Sequence, residues 1–218
     1  TQHAMPLGSP AAMDAIADPT ATLLGRLRDL APLVARHRAA IEAEGRLPPD
    51  LFAALAEAGM FRLWLPRAVG GPDLSPLDFM EVVEAAAALD TSVGWLVGNG
   101  GGASRIAGYL PEGVARDLFA DPRAFVVLAT GATGVAKPAA DGHRVSGRWP
   151  YGSGIHGATA VAGLCAVPGA EAGRMLMAVA PIGAVTVHET WDVSGLRGTG
   201  SCDFELEDVA VGPGHVFA

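Results

Sequence analysis

The sequence predicts an α+β fold in which an all-α segment is followed by a small β-barrel or sandwich. Three observations predict it. Apolar residues recur at helical spacing as far as about residue 120, and after Asp121-Pro122 the period falls to two. The runs of period two are short, rich in β-branched residues and separated by Gly, Pro and Asp. This gives a disordered leader over 1–19, an α-helical domain over 20–120 and a β domain over 121–218, with no internal repeat.

The first helix starts at Thr20, carries Leu23, Leu24, Leu27, Leu30, Val34 and Ile41 on one face, and is closed by Gly45. Pro32 lies inside it and predicts a break or kink. Pro48-Pro49-Asp50 opens a short second helix that buries Leu51, Phe52 and Leu55 and stops at Gly59. After the loop LPRAVGGPDL, Ser75-Pro76-Leu77-Asp78 combines an N-cap, a first-turn Pro and an acid, predicting a helix to about Leu89. Thr91 or Ser92 caps the next, which carries Trp95, Leu96, Val97, Ile106 and Tyr109. Pro111 begins a last one that ends near Ala120. The strands are AFVVLAT, HRVSGRW, ATAVAGLCAV, RMLMAVAPI, AVTVHET and DFELEDVAV.

Composition limits the function. Half of the 218 residues are apolar, enough for a real core. Lys and Arg number 15 against 23 acids, a formal charge of -8, and no basic run serves a phosphate backbone, so nucleic acid is not an expected partner. Acids interrupt the longer apolar stretches, and the first residues lack a basic segment followed by an apolar one. Neither a membrane span nor a signal peptide is expected. Cys165 and Cys202 lack CxxC spacing and read as buried thiols of a cytoplasmic protein.

Few motifs carry chemistry. GNGGGA (98–103) satisfies GxGxxA but lies among helices, where a dinucleotide fingerprint needs a preceding strand. Each Gly costs a helix about 1 kcal/mol, so the segment implies close approach by another helix or a flat ligand. None of the six histidines has HxxxH or HxH spacing, so no metal is expected. No GxSxG elbow occurs for a nucleophilic serine. GRWPYGSGIHGA (147–158) is richer: an indole and a phenol beside glycine backbone and a serine hydroxyl suit a flat heteroaromatic ring such as isoalloxazine. The same residues also suit an aromatic-anchored hairpin turn, and His156 suits a turn as well as a base.

The order PRAVGG, SPLDFMEVVEAAAALDTSVGW, GVAKPAADGHRVSGRWPYGSGIHGA and ETWDVSGLRGTGSCDFELEDVAV resembles the acyl-CoA dehydrogenase superfamily over residues 20–218. Within it, the chain is most similar to the two-component flavin-dependent monooxygenases. GRWPYGSG resembles their W-x-(F/Y)-x-S-G, TGATGVAKPAADG lacks the dehydrogenases' E-P-x-A-G-S-D, and WDVSGLRGTGS looks like their W-x-V-x-G-(L/M)-R-G-T-G-S.

The resemblance implies an enzyme that uses reduced flavin, FMN or FAD, and O2 to hydroxylate or N-oxygenate a small substrate, with a separate flavin reductase as partner. It places Trp149, Tyr151, Gly152 and Ser153 along the flavin ring and Thr130 near its pyrimidine edge. Arg197, Thr199 and Ser201 would lie near flavin phosphate or a neighbouring subunit. Trp95, Asn99, Gly100 and His156 would line the substrate pocket. Family members continue into a C-terminal helical bundle that holds the catalytic Glu or His and builds a homo-tetramer. This chain stops where that bundle would begin, so the expectation is a missing bundle, supplied by a longer or separate chain. The alternatives are an acyl-CoA dehydrogenase and a truncated non-catalytic flavin-binding or interaction fragment.

Overall fold

A computed structural model describes residues 18–169 and 174–218; the expected leader lies outside them apart from its last two residues, which open the first helix. Helix α1 (Pro19–Glu44) is capped by Asp18, whose carboxylate accepts from the Thr20 N–H, so it begins one residue earlier than Thr20. It runs through Pro32 without a break, because that ring lies on the exposed side and removes one hydrogen bond from a 26-residue helix. Gly45 ends it in the left-handed conformation, as expected.

Helix α2 (Pro49–Glu57) and helix α3 (Pro76–Leu89) start at their predicted prolines, and Ser75 caps α3 by accepting from the Asp78 N–H. Helix α4 (Thr91–Ala103) is capped by Asp90, not by Thr91 or Ser92. The Asp90 carboxylate takes both the Ser92 and Val93 N–H groups. The helix then tightens into a 3-10 segment over Ser104–Tyr109, and α5 spans Glu112–Leu118. Among the described residues no helix is long and apolar enough to cross a membrane.

The remainder is one mixed seven-stranded sheet: β1 (Val126–Ala139), β2 (Gly142–Gly152), β3 (Ala160–Ala166), β4 (Met175–Pro181), β5 (Thr186–His188), β6 (Cys202–Val211) and β7 (Val216–Phe217). Their order is β5-β6-β2-β1-β3-β4-β7, with β1 and β3 parallel and every other pair antiparallel. No ladder joins β5 to β7 among the described residues, but β6 and β4, four places apart in that order, approach within 8 Å at Cα, so the sheet curls on itself as the expected small barrel or sandwich does.

Helices and sheet share one core. Phe52 of α2, Phe61 and Phe125 form a triangle of rings with centroids 4.7 to 5.1 Å apart. Phe125 immediately precedes β1, so these contacts set the helical layer against the strand. The glycines of α4 belong to this packing. A Cβ on Gly100 would stand 2.4 Å from the Phe125 ring, and one on Gly101 2.8 Å from Leu63. Gly100 is therefore packed into the core, because the space its missing side chain leaves is filled by the Phe125 ring.

Candidate functional site

Strand β2 alternates correctly as far as Trp149, which is fully buried, stacks on Phe204 at 5.2 Å and donates its indole N–H to the Leu164 carbonyl. Gly134 and Gly163 give the ring its room, since a Cβ at either would lie 2.2 or 2.6 Å from it. Trp149 thus exposes no face along which a flavin could lie. Period two would bury Tyr151 beside it. A bulge intervenes: Trp149 pairs with Phe204, but Gly152 pairs with Cys202, so β2 spends one residue more than β6. Tyr151 takes φ +61° there and turns outward to 71% exposure. A non-glycine residue in that region costs about 1 to 2 kcal/mol.

The bulge also aims Ser153. Its Oγ accepts from the indole N–H of Trp95 on α4 at 3.0 Å, and Trp95 is itself 48% exposed. Behind it, Ser153 Oγ lies 2.8 Å from Ser201 Oγ, which lies 2.6 Å from Thr199 Oγ1; the Thr199 hydroxyl donates to the Leu196 carbonyl at 2.9 Å. Thr199 and Ser201 are buried. Four residues predicted for different parts of the site are joined by one hydrogen-bonded line whose outer end is Trp95 and Ser153, while Tyr151, two residues before Ser153, is exposed with its ring edge-on to Trp191. Gly152 is buried under it, where a Cβ would meet the Cys202 carbonyl at 2.9 Å.

Other predicted residues lie elsewhere. Thr130 is exposed where β1 swells out of register with β3, Ala129 pairing with Gly163 but Gly134 with Cys165. The Arg197 guanidinium donates to the Glu42 carbonyl at 3.0 Å and the Val193 carbonyl at 2.6 Å, stapling the loop before β6 to the end of α1. Asn99 donates to the Trp95 carbonyl and stiffens the exposed turn of α4.

His156 does not join Trp95. It lines a separate cavity of about 540 Å³ with Arg46, Phe52, Leu96, Arg123 and Thr199. The predicted substrate residues are therefore divided among an exposed face, the core and this cavity. His156 Nε2 lies 2.9 Å from Glu189, and the hydrogen bond from His156 holds the Glu189 carboxyl below its usual range. The Cys202 thiol donates to the other Glu189 oxygen at 3.4 Å and is pushed up by burial. Spacing along the chain could not have signalled this trio, whose ligand-type atoms lie within 4.8 Å of one another. Cys165, also buried, is pushed up to about 11 by loss of solvent, which leaves an inert thiol.

Comparison with known proteins places this geometry. Residues 27–111 match the acyl-CoA dehydrogenase N-terminal domain. The described fold superposes on XiaF from Streptomyces sp., solved with FADH2 and glycerol, with a TM-score of 0.84 and 28% identity over 91% of this chain and 51% of that one. The chain belongs to the acyl-CoA dehydrogenase superfamily. Among its curated relatives are monooxygenases that share the fold. The indole-3-acetate monooxygenase of Acinetobacter baumannii is 35% identical over 74% of this chain and 42% of its own length. The oxygenase component of the FADH2-dependent resorcinol hydroxylase of Rhizobium sp. is 32% identical over 90% and 49%. This superfamily member thus spans about half the length of the curated relatives it matches.

Proposed function

We propose that the chain forms the flavin-facing part of a monooxygenase that hydroxylates or N-oxygenates a small substrate, with a separate reductase supplying reduced FMN or FAD. The observation that carries this reading is the outer face made by the β2 bulge. The half-exposed Trp95 indole donates to the Ser153 hydroxyl, two residues along the chain from exposed Tyr151, in a fold that matches a structure holding FADH2 over nine-tenths of the chain. The groups fit a flat conjugated ring: aromatic surface for stacking and a hydroxyl for its heteroatoms.

When bound, reduced flavin supplies two electrons to O2, so that one oxygen atom enters the substrate, the other leaves as water and the flavin is left oxidised. The chain's own part is to hold the ring by Tyr151 and Trp95 and to present Ser153 to its edge. The 540 Å³ cavity is lined by Leu96, the residue after Trp95 on α4, and is large enough for a small aromatic substrate.

The test is a reductase-coupled assay that follows O2 uptake and peroxide release together with anaerobic flavin titration. Ser153→Ala is expected to raise the fraction of O2 released as peroxide and to weaken reduced-flavin binding. Unchanged coupling and affinity in that variant would remove Ser153 from the site.

A further inference from the structure

His156, Glu189 and Cys202 come from three separate stretches of chain and meet at one point. His156 sits on the one-turn segment Ile155–Gly157, Glu189 on the loop after β5 and Cys202 at the first position of β6. Their nitrogen, oxygen and sulfur atoms lie within 4.8 Å of one another, with Nε2 to Oε1 at 2.9 Å and Sγ to Oε2 at 3.4 Å. Around a tetrahedral zinc ion, with bonds of about 2.0 Å to nitrogen and oxygen and about 2.3 Å to sulfur, neighbouring donors stand about 3.3 to 3.6 Å apart. The three atoms are thus already close to that spacing. Their supports are fixed as well. The Thr190 hydroxyl donates to the Asp203 carboxylate at 3.1 Å and accepts the Asp203 N–H at 3.0 Å, which ties the residue after Glu189 to the residue after Cys202. Gly200 gives the imidazole its seat, since a Cβ there would stand 3.1 Å from His156 Nδ1.

We infer that this trio binds a zinc-type divalent cation through His156 Nε2, one Glu189 oxygen and the Cys202 sulfur, with water as the fourth ligand. The site stands independently of the flavin reading above. The donor set decides the class: a thiolate beside an imidazole suits zinc, whereas magnesium and calcium take oxygen ligands. Access is provided on one side, because His156 lines the 540 Å³ cavity and Glu189 is exposed, while Cys202 closes the other by its burial. The hydrogen bond from His156 holds the Glu189 carboxyl below its usual range, so that oxygen is anionic. Burial pushes the Cys202 thiol up, so the sulfur keeps its hydrogen until a cation displaces it. Binding therefore releases the thiol proton to solvent and moves the imidazole hydrogen to Nδ1, which leaves the Nε2 lone pair for the ion. Thiolate and carboxylate then cancel the ion's two charges, so Arg46, whose charge also acts on Glu189, meets no net repulsion. The bound ion pins the turn after β2 and the loop after β5 to the start of β6.

Cobalt reports such a site directly, because a thiolate ligand gives it an intense sulfur-to-metal absorption in the near ultraviolet. The full chain, stripped of metal, free of any affinity tag and with its thiols reduced, is titrated anaerobically with Co2+. One equivalent should bind with that absorption, and Zn2+ should displace it. Cys202→Ser should abolish the sulfur band, and Cys165→Ser should leave it unchanged. His156→Ala and Glu189→Gln should each weaken Co2+ binding at least about tenfold, the lower end of what even an outer partner of a metal ligand is worth.

Glu189→Gln alters an exposed side chain, so it decides the matter even where the buried Cys202→Ser variant fails to fold. Zn2+ should also raise the denaturation midpoint of the wild-type chain and raise it less in E189Q. A sulfur band that survives Cys202→Ser, or affinity unchanged in both H156A and E189Q, would overturn the site. So would cobalt bound without sulfur absorption, or a wild-type chain that binds none at millimolar Co2+.

Discussion

Two glycine-rich segments, 94–103 in α4 and 147–158 around the end of β2, both make room for neighbouring rings, but only the second also turns the chain and directs side chains outward. In α4 the glycines withdraw so that neighbours can fill the space: Ala87 against Gly94, Phe125 against Gly100 and Leu63 against Gly101. At the end of β2 they turn the chain. Gly154, at φ +78°, and Gly157 seat the following turn against Phe125 and Phe52, while Tyr151 and Ser153 are directed outward. Glycine density therefore marks close approach in both places but does not say whether a side chain or a ligand is approaching. The burial of the flanking aromatic residues makes that distinction.

The largest loss should follow from deleting the aromatic that belongs to the core. Trp149→Ala removes the largest fully buried side chain and leaves Gly134 and Gly163 facing a void, which should cost about 3 to 5 kcal/mol. Denaturant unfolding monitored by circular dichroism checks this. A loss below about 1 kcal/mol would mean that the indole is not packed as described.

Next in size is the helix. A methyl on Gly100 would meet the Phe125 ring at 2.4 Å, an overpacking cost of about 1 to 3 kcal/mol, offset by the roughly 1 kcal/mol that Ala gains over Gly in a helix. Gly100→Ala should therefore destabilise by about 1 kcal/mol, and Gly98→Ala, whose nearest neighbour would be Val83 at 3.6 Å, should not. If α4 were instead open to a ligand at Gly100, the two variants would be equally stable.

The same contrast explains what could be read in advance. Caps and periods are local, so Ser75-Pro76, Pro49, Gly45 and the change after Asp121-Pro122 were legible in the residues themselves. The α4 cap was displaced by one residue because Asp90, Thr91 and Ser92 are all competent caps, and only geometry shows that the carboxylate reaches two N–H groups. The resemblance put Trp149 and Tyr151 together along the flavin ring, but one is buried and the other exposed. The bulge that separates them comes from the register with β6, some fifty positions away. The hydrogen-bonded line joins residues 95, 153, 199 and 201, and the His156–Glu189 pair spans two loops, so neither leaves a mark in spacing. Residue types around the site were legible, but their division into core, face and cavity was set by long-range pairing.

At Tyr151 a deletion should act least, and with the opposite sign. Tyr151 is strained at φ +61° and exposed, and its ring meets Trp191 edge-on at 6.4 Å. Glycine adopts that backbone freely, so Tyr151→Gly relieves the strain and loses little packing, though it also gives the unfolded chain more freedom. The net result should be a gain of up to about 1 kcal/mol in stability, read as a higher denaturation midpoint, with weaker flavin binding in the same preparation. Trp149→Ala must instead lose stability first. Were Tyr151→Gly to destabilise as a core deletion does, the outward turn of β2 would be held by the phenol itself. The bulge would then be a packing feature and no longer a device for presenting the site.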